Sequence, residues 1–145
     1  MLSKFNFWLK LASILQILTG IIHSLSLISK PIPTNNDQEV LFQLMNELEM
    51  DFGFGFHLTM NDILFAFSVC FSFFLFFSAI VNLLILKSNE MKIINSIVWL
   101  NIVFYFLCFV IMLFYTFLPP IICTFLILFT LIMALVYNRS ERIKK

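Results

Sequence analysis

The run Ile63-Leu64-Phe65-Ala66-Phe67-Ser68-Val69-Cys70-Phe71-Ser72-Phe73-Phe74-Leu75-Phe76-Phe77-Ser78-Ala79-Ile80-Val81-Asn82-Leu83-Leu84-Ile85-Leu86 is 24 residues long and carries no charge. A helix needs about 20 predominantly apolar residues to cross the roughly 30 Å hydrocarbon core of a bilayer, so this stretch predicts a membrane span. Three further apolar stretches, about 5–29, 93–117 and 121–137, meet the same test, the last with little to spare. Inside lipid each backbone N–H and C=O must be bonded within its own segment, and runs this long and evenly apolar are helices rather than barrel strands. The expected class is therefore all-α: an integral membrane four-helix bundle occupying residues 1–145 as a single membrane domain.

Composition agrees. Apolar residues make up 61% of the 145-residue chain and charged residues 12%, and mean hydropathy is +1.02, whereas soluble domains are about half apolar and a quarter charged. A water-soluble core is excluded. The formal net charge is only +1 and the cations form no continuous stripe, so nucleic acid is not an expected partner.

The cations are placed unevenly. Lys4, Lys10, Lys87, Lys92, Arg139, Arg142, Lys144 and Lys145 fall on one side of the four spans, and only Lys30 falls on the other. Cationic loops stay on the cytoplasmic side, so both termini are expected there and the order is up-down-up-down. Six of the eight acids, Asp37, Glu39, Glu47, Glu49, Asp51 and Asp62, lie opposite. Trp8, Tyr115 and Tyr137 stand near span ends, as interfacial aromatics do. A cleaved signal peptide is the competing reading of the N-terminus, with Lys4 and Lys10, an apolar run, and Ser24 and Ser26 at small-x-small spacing. The apolar run extends past a usual h-region on both sides, which favours a retained span.

The loop 30–61 is the only sizeable segment between spans. Pro31, Pro33 and Thr34-Asn35-Asn36-Asp37 stop one helix and start another. Val40, Leu41, Leu44, Met45 and Leu48 then recur at helical spacing, which predicts a short amphipathic helix on the outer surface or folded over the bundle as a cap. In Asp51-Phe52-Gly53-Phe54-Gly55-Phe56-His57 two glycines break that helix, and three phenylalanines are placed to embed at the interface. A lone GxG with no strand before it is not a phosphate loop. Thr59 with Asp62 makes a capping box for the second span, which explains Asp62 as a helix-terminus acid. Leu118-Pro119-Pro120 joins the third and fourth spans as antiparallel neighbours.

Polar and small residues line one stripe of each span: Ala12, Gln16, Thr19, Gly20, His23 and Ser24; Ser68, Ser72, Ala79 and Asn82; Asn101, Tyr105 and Cys108; Cys123, Thr130, Ala134 and Tyr137. Close backbone approach and interhelical hydrogen bonds hold helices together where lipid removes the hydrophobic drive, so these stripes should face the bundle axis. His23 is the ionisable group inside a span and a functional candidate for that reason. With Gln16, Tyr105, Asp62 and His57 it makes up the candidate ligand-binding set, around a pocket in the outer half with the loop as its lid. No residue is assigned as catalytic. The cysteines Cys70, Cys108 and Cys123 have no CxxC spacing, so no metal site is expected, and no motif calls for a cofactor.

Thr19-Gly20-Ile21-Ile22-His23 late in a first span, a Met-containing loop helix, and Thr59-Met60-Asn61-Asp62-Ile63-Leu64 opening a Phe- and Ser-rich second span resemble a group of small uncharacterised four-span bacterial membrane proteins. The likeness covers the first two spans and the loop between them. More loosely, the bundle with its glycine and histidine is similar to the DoxX-like proteins. The resemblance implies a bacterial cytoplasmic-membrane location and no established activity; Ala66 and Ala79 stand here where glycines are the family's expected residues.

The function expected from these readings is that of a non-catalytic or accessory membrane protein, surrounded by membrane lipid and binding a lipid, quinone or other apolar small molecule. The first alternative is an intramembrane enzyme with His23 as acid–base, assisted by Tyr105 or Asp62. The second is a small transporter or channel subunit, for which a homo-oligomer would have to supply the aqueous path.

Overall fold

A computed structural model describes residues 4–29, 31–88 and 90–143, with side chains as far as Asn138. Residues 1–3, Lys30, Asn89, Lys144 and Lys145 lie outside the described residues. The elements run α1 (Lys4–Ser26), α2 (Asn36–Glu47), β1 (Glu49–Asp51), β2 (His57–Thr59), α3 (Met60–Ile85), α4 (Met91–Tyr115) and α5 (Leu118–Ile143). The fold is all-α apart from one small hairpin. Four helices, α1, α3, α4 and α5 over Leu118–Asn138, are long and apolar enough to cross a membrane. The shortest, 21 residues, rises about 32 Å.

The fourth span is longer than the 121–137 expected, because Pro119 and Pro120 do not form a linker. They sit in the first turn of α5, where a missing N–H costs nothing and a fixed φ suits the helix. Only Thr116 and Phe117 separate α4 from α5, and Thr116 ends α4 with its N–H on the Met112 carbonyl. The first span stops at Ser26 rather than Ser29. Leu27 and Ile28 donate back three residues to Ser24 and Leu25, and Ser26 Oγ donates to the His23 carbonyl at 2.7 Å. The last turn is thereby tightened and its carbonyls satisfied.

The chain divides into two compact units, Met1–Thr19 with Leu75–Lys145, and Gly20–Phe74. The first unit holds the packed core. Leu9, Leu75, Val98, Ile127 and Leu131 are almost wholly buried, with Ala12, Ala79 and Ala134 between them. Small residues at such positions let helix backbones approach closely, the main source of packing energy in lipid. The start of α1 lies against the end of α5: Trp8 stacks on Tyr137 at 6.3 Å, meets Phe129 edge-on at 6.0 Å, and Lys4 Nζ stands 5.2 Å above the Tyr137 ring. Asn138 Nδ2 donates to Asn95 Oδ1 at 2.6 Å, tying the end of α5 to the first turns of α4. Ser13, Thr124 and Thr130, all buried, return their hydroxyl protons to carbonyls of their own helices.

In the second unit α2 is the amphipathic helix expected in the loop. Asn35 caps it, accepting from the Gln38 amide at 2.9 Å, and Gln38 Oε1 in turn accepts from the Thr34 amide and hydroxyl. The segment 51–57 is a hairpin turn rather than a loose linker. Glu49 pairs with Thr59, Met50 with Leu58 and Asp51 with His57. Phe52 N–H donates to the Phe56 carbonyl and Phe56 N–H to the Gly53 carbonyl, both at 3.0 Å. Gly53, Phe54 and Gly55 all have positive φ; the two glycines accept that at no steric cost, and Phe54 lies within the turn that these hydrogen bonds close.

Thr59 and Asp62 form the expected capping box. Asp62 Oδ2 accepts from the Thr59 amide at 2.9 Å and from its hydroxyl at 2.7 Å, and the Asp62 amide donates to Thr59 Oγ1 at 3.1 Å. Asp62→Ala is expected to raise the hydrogen-exchange rates of the Thr59 and Asp62 amides while leaving those at the centre of α3 unchanged. Equal rates in both proteins would show that the box does not hold this helix start.

Candidate functional site

The polar residues of the first unit close on one another. Gln16 Nε2 donates to Ser78 Oγ at 3.0 Å, and Ser78 Oγ donates to Asn101 Oδ1 at 2.5 Å. Asn101 Nδ2 donates to Asn82 Oδ1 at 3.2 Å, and Asn82 Nδ2 donates to Gln16 Oε1 at 3.1 Å. The four bonds run in one direction around a ring that joins α1, α3 and α4. Each member gives one proton and receives one, and Asn101 adds a bond to the Ile97 carbonyl at 3.0 Å. All four side chains are buried. A low dielectric strengthens each bond and penalises any that is left unmade, so a closed ring suits a buried site.

Helical spacing explains why these residues meet. Ser78 and Asn82 are four apart on α3, and Asn101 and Tyr105 four apart on α4, so each pair shares a face. Sequence reasoning singled out Gln16, Asn82, Asn101 and Tyr105. It passed over Ser78, although its spacing of four to Asn82 was there to be counted.

Tyr105 is 1% exposed, and its hydroxyl has no hydrogen-bond partner in the protein. Ser78 and Gln16 lie beside it. An unpaired buried hydroxyl costs about 1–3 kcal/mol. Counting along α4, it stands about 15 Å from Tyr115 and about 21 Å from Met91. Of the candidate binding residues, Gln16 and Tyr105 are thus brought together.

His23, His57 and Asp62 belong to the second unit. His23 meets the Phe71 ring edge-on at 5.2 Å, and its Nε2 is buried without a protein partner. His57 is exposed on β2, opposite Asp51. Asp62 is exposed and its Oδ2 is engaged by Thr59. The three cysteines are free, and Cys70 is exposed. Among the described residues no three His, Cys, Asp or Glu side chains gather to hold a metal ion.

Comparison with family models, with curated proteins and with solved structures gives no match to this chain. The reading of function therefore rests on the residues themselves.

Proposed function

We propose that this is a non-catalytic or accessory multi-pass protein of a bacterial cytoplasmic membrane, with both termini in the cytoplasm, which binds a lipid, quinone or other apolar molecule bearing one polar acceptor. The observation that carries this is the Tyr105 hydroxyl, buried and unpartnered beside a polar ring whose members already serve one another. A ligand carbonyl or ether oxygen accepting from Tyr105 would recover the cost of that orphaned group. The apolar remainder of such a molecule suits a core built mainly of Leu, Ile, Val and Ala. Amides and hydroxyls of the ring do not titrate in the physiological range, which favours binding over acid–base catalysis. The cation asymmetry and the neighbouring positions of Lys4, Trp8 and Tyr137 support the placement of both termini on one side.

Native mass spectrometry of the chain released from lipid nanodiscs tests the reading. The expected result is a retained small molecule in the wild type that is reduced about tenfold or more in Tyr105→Phe, the loss of one good hydrogen bond. Circular dichroism should show the same helix content for both. A wild-type chain that emerges bare, or equal retention by the two proteins, overturns the proposal.

A further inference from the structure

The second unit has almost no interior of its own. Among its described residues only Gly20 and Ser72 are buried. On α2, Val40, Leu41 and Leu44 are about half exposed and lie on one face, and Leu48 at the C-cap is more exposed still. Among the described residues of the second unit, nothing covers that face. At the hairpin tip Phe52, Phe54 and Phe56 are all exposed, Phe54 completely. The turn that carries them is fixed by its own hydrogen bonds and by Gly53 N–H on Asp51 Oδ1 at 2.7 Å. Presentation of the three rings to the outside is therefore a property of the folded turn.

From these observations we infer that α2 and the hairpin tip form one lipid-docking surface, lying in the boundary between headgroups and acyl chains of the membrane that α1 and α3 enter. The inference rests on the membrane-spanning reading of those helices. Three arguments select lipid as the occupant. The first is continuity: β2 ends at Thr59 and α3 begins at Met60, so no linker separates the hairpin from a span. Three-residue strands reach only about 10 Å from their base, and the headgroup layer is of comparable depth. The second is the arrangement of α2, an apolar arc of Val40, Leu41 and Leu44, continued by Leu48 at its C-cap, with Glu39, Gln43 and Asn46 on the other side. A helix of that pattern lies in the interface plane with its apolar side sunk about 5–10 Å. The third is charge. Residues 31–62 hold six carboxylates and no Lys or Arg, so attraction to anionic headgroups supplies nothing and apolar insertion must carry the docking.

Site-directed spin labelling of the full chain in phosphatidylcholine nanodiscs tests this, in a background of Cys70→Ala, Cys108→Ala and Cys123→Ala. Labels at Phe54→Cys and Leu44→Cys are expected to collide more with oxygen than with an aqueous nickel chelate, and a label at Asn46→Cys to show the reverse. Raising the salt concentration should leave all three unchanged. The inference is overturned if the first two labels are as open to nickel as Asn46→Cys, if neither reagent reaches them because protein encloses them, or if salt withdraws them from the lipid. A label at Phe77→Cys, exposed at mid-span on α3, separates the causes. Oxygen contact there with nickel contact at position 54 refutes the docking alone, whereas nickel contact at both refutes the spanning reading as well. Phe54→Asn, which tolerates the left-handed backbone, should move the Leu44→Cys label toward water if tip and helix dock as one surface; an unmoved label refutes that coupling.

Discussion

Asn101→Leu is expected to destabilise the bundle by about 2–3 kcal/mol, measured by steric trapping or by controlled denaturation in bicelles. Asn101 makes three hydrogen bonds, and its loss leaves the Ser78 hydroxyl without an acceptor and the Asn82 carbonyl oxygen without a donor. Single interhelical bonds in membranes contribute about 0.6 kcal/mol on average and at most about 1.7, because the separated helices also find partners. Two orphaned groups in one buried site raise the cost above that mean. The ring geometry also predicts the double variant. Once Asn101→Leu has opened the ring, adding Asn82→Leu should cost at least about 1 kcal/mol less than Asn82→Leu does alone, since residues in one network do not add. Additivity within about 0.5 kcal/mol would mean that the four bonds act independently. Thr130→Val is the matched control: its hydroxyl bonds only within its own helix, so the effect should stay below about 1 kcal/mol.

The second large effect concerns orientation. Green fluorescent protein fused after Lys145 should fluoresce, and alkaline phosphatase inserted after Asn46 should be active, with each reporter near background at the other position. The physical cause is the count of eight cations against one, which holds the cationic ends in the cytoplasm during insertion. Lys4 and Trp8 lie against Tyr137, so the two ends of the chain are expected to share a side. An active phosphatase after Lys145 would refute the proposed orientation, and with it the outward placement of α2 and the hairpin.

Much of the architecture was legible before any coordinate. Hydropathy alone marks four helices, because a span must be apolar over its whole length and nothing else in the chain imitates that pattern. Asn35, Thr59 and Asp62 announce two helix starts by local chemistry that acts over three residues. Element boundaries were less certain where prolines were involved, since Pro119 and Pro120 read equally as a linker or as a first turn until the neighbouring φ values are known. The hairpin was not anticipated either. Strands of three residues give no periodicity to detect, and the pairing of Glu49 with Thr59 lies ten residues apart in sequence.

The candidate site divides in the same way. Sequence placed Gln16, Asn82, Asn101 and Tyr105 on polar stripes, because helical spacing fixes which residues share a face. It could not say that Ser78 closes a ring with three of them, or that the Tyr105 hydroxyl is left over. Those outcomes depend on the rotation and relative height of three helices, which are set by how Leu9, Leu75, Val98 and the small residues between them pack. Composition and charge thus determined that this chain makes four apolar helices and how they are expected to be oriented, because those follow from transfer of each residue between water and lipid. Tertiary packing alone decided which buried polar atoms found partners, because a hydrogen bond requires two groups within about 3 Å and sequence spacing specifies only one helix at a time.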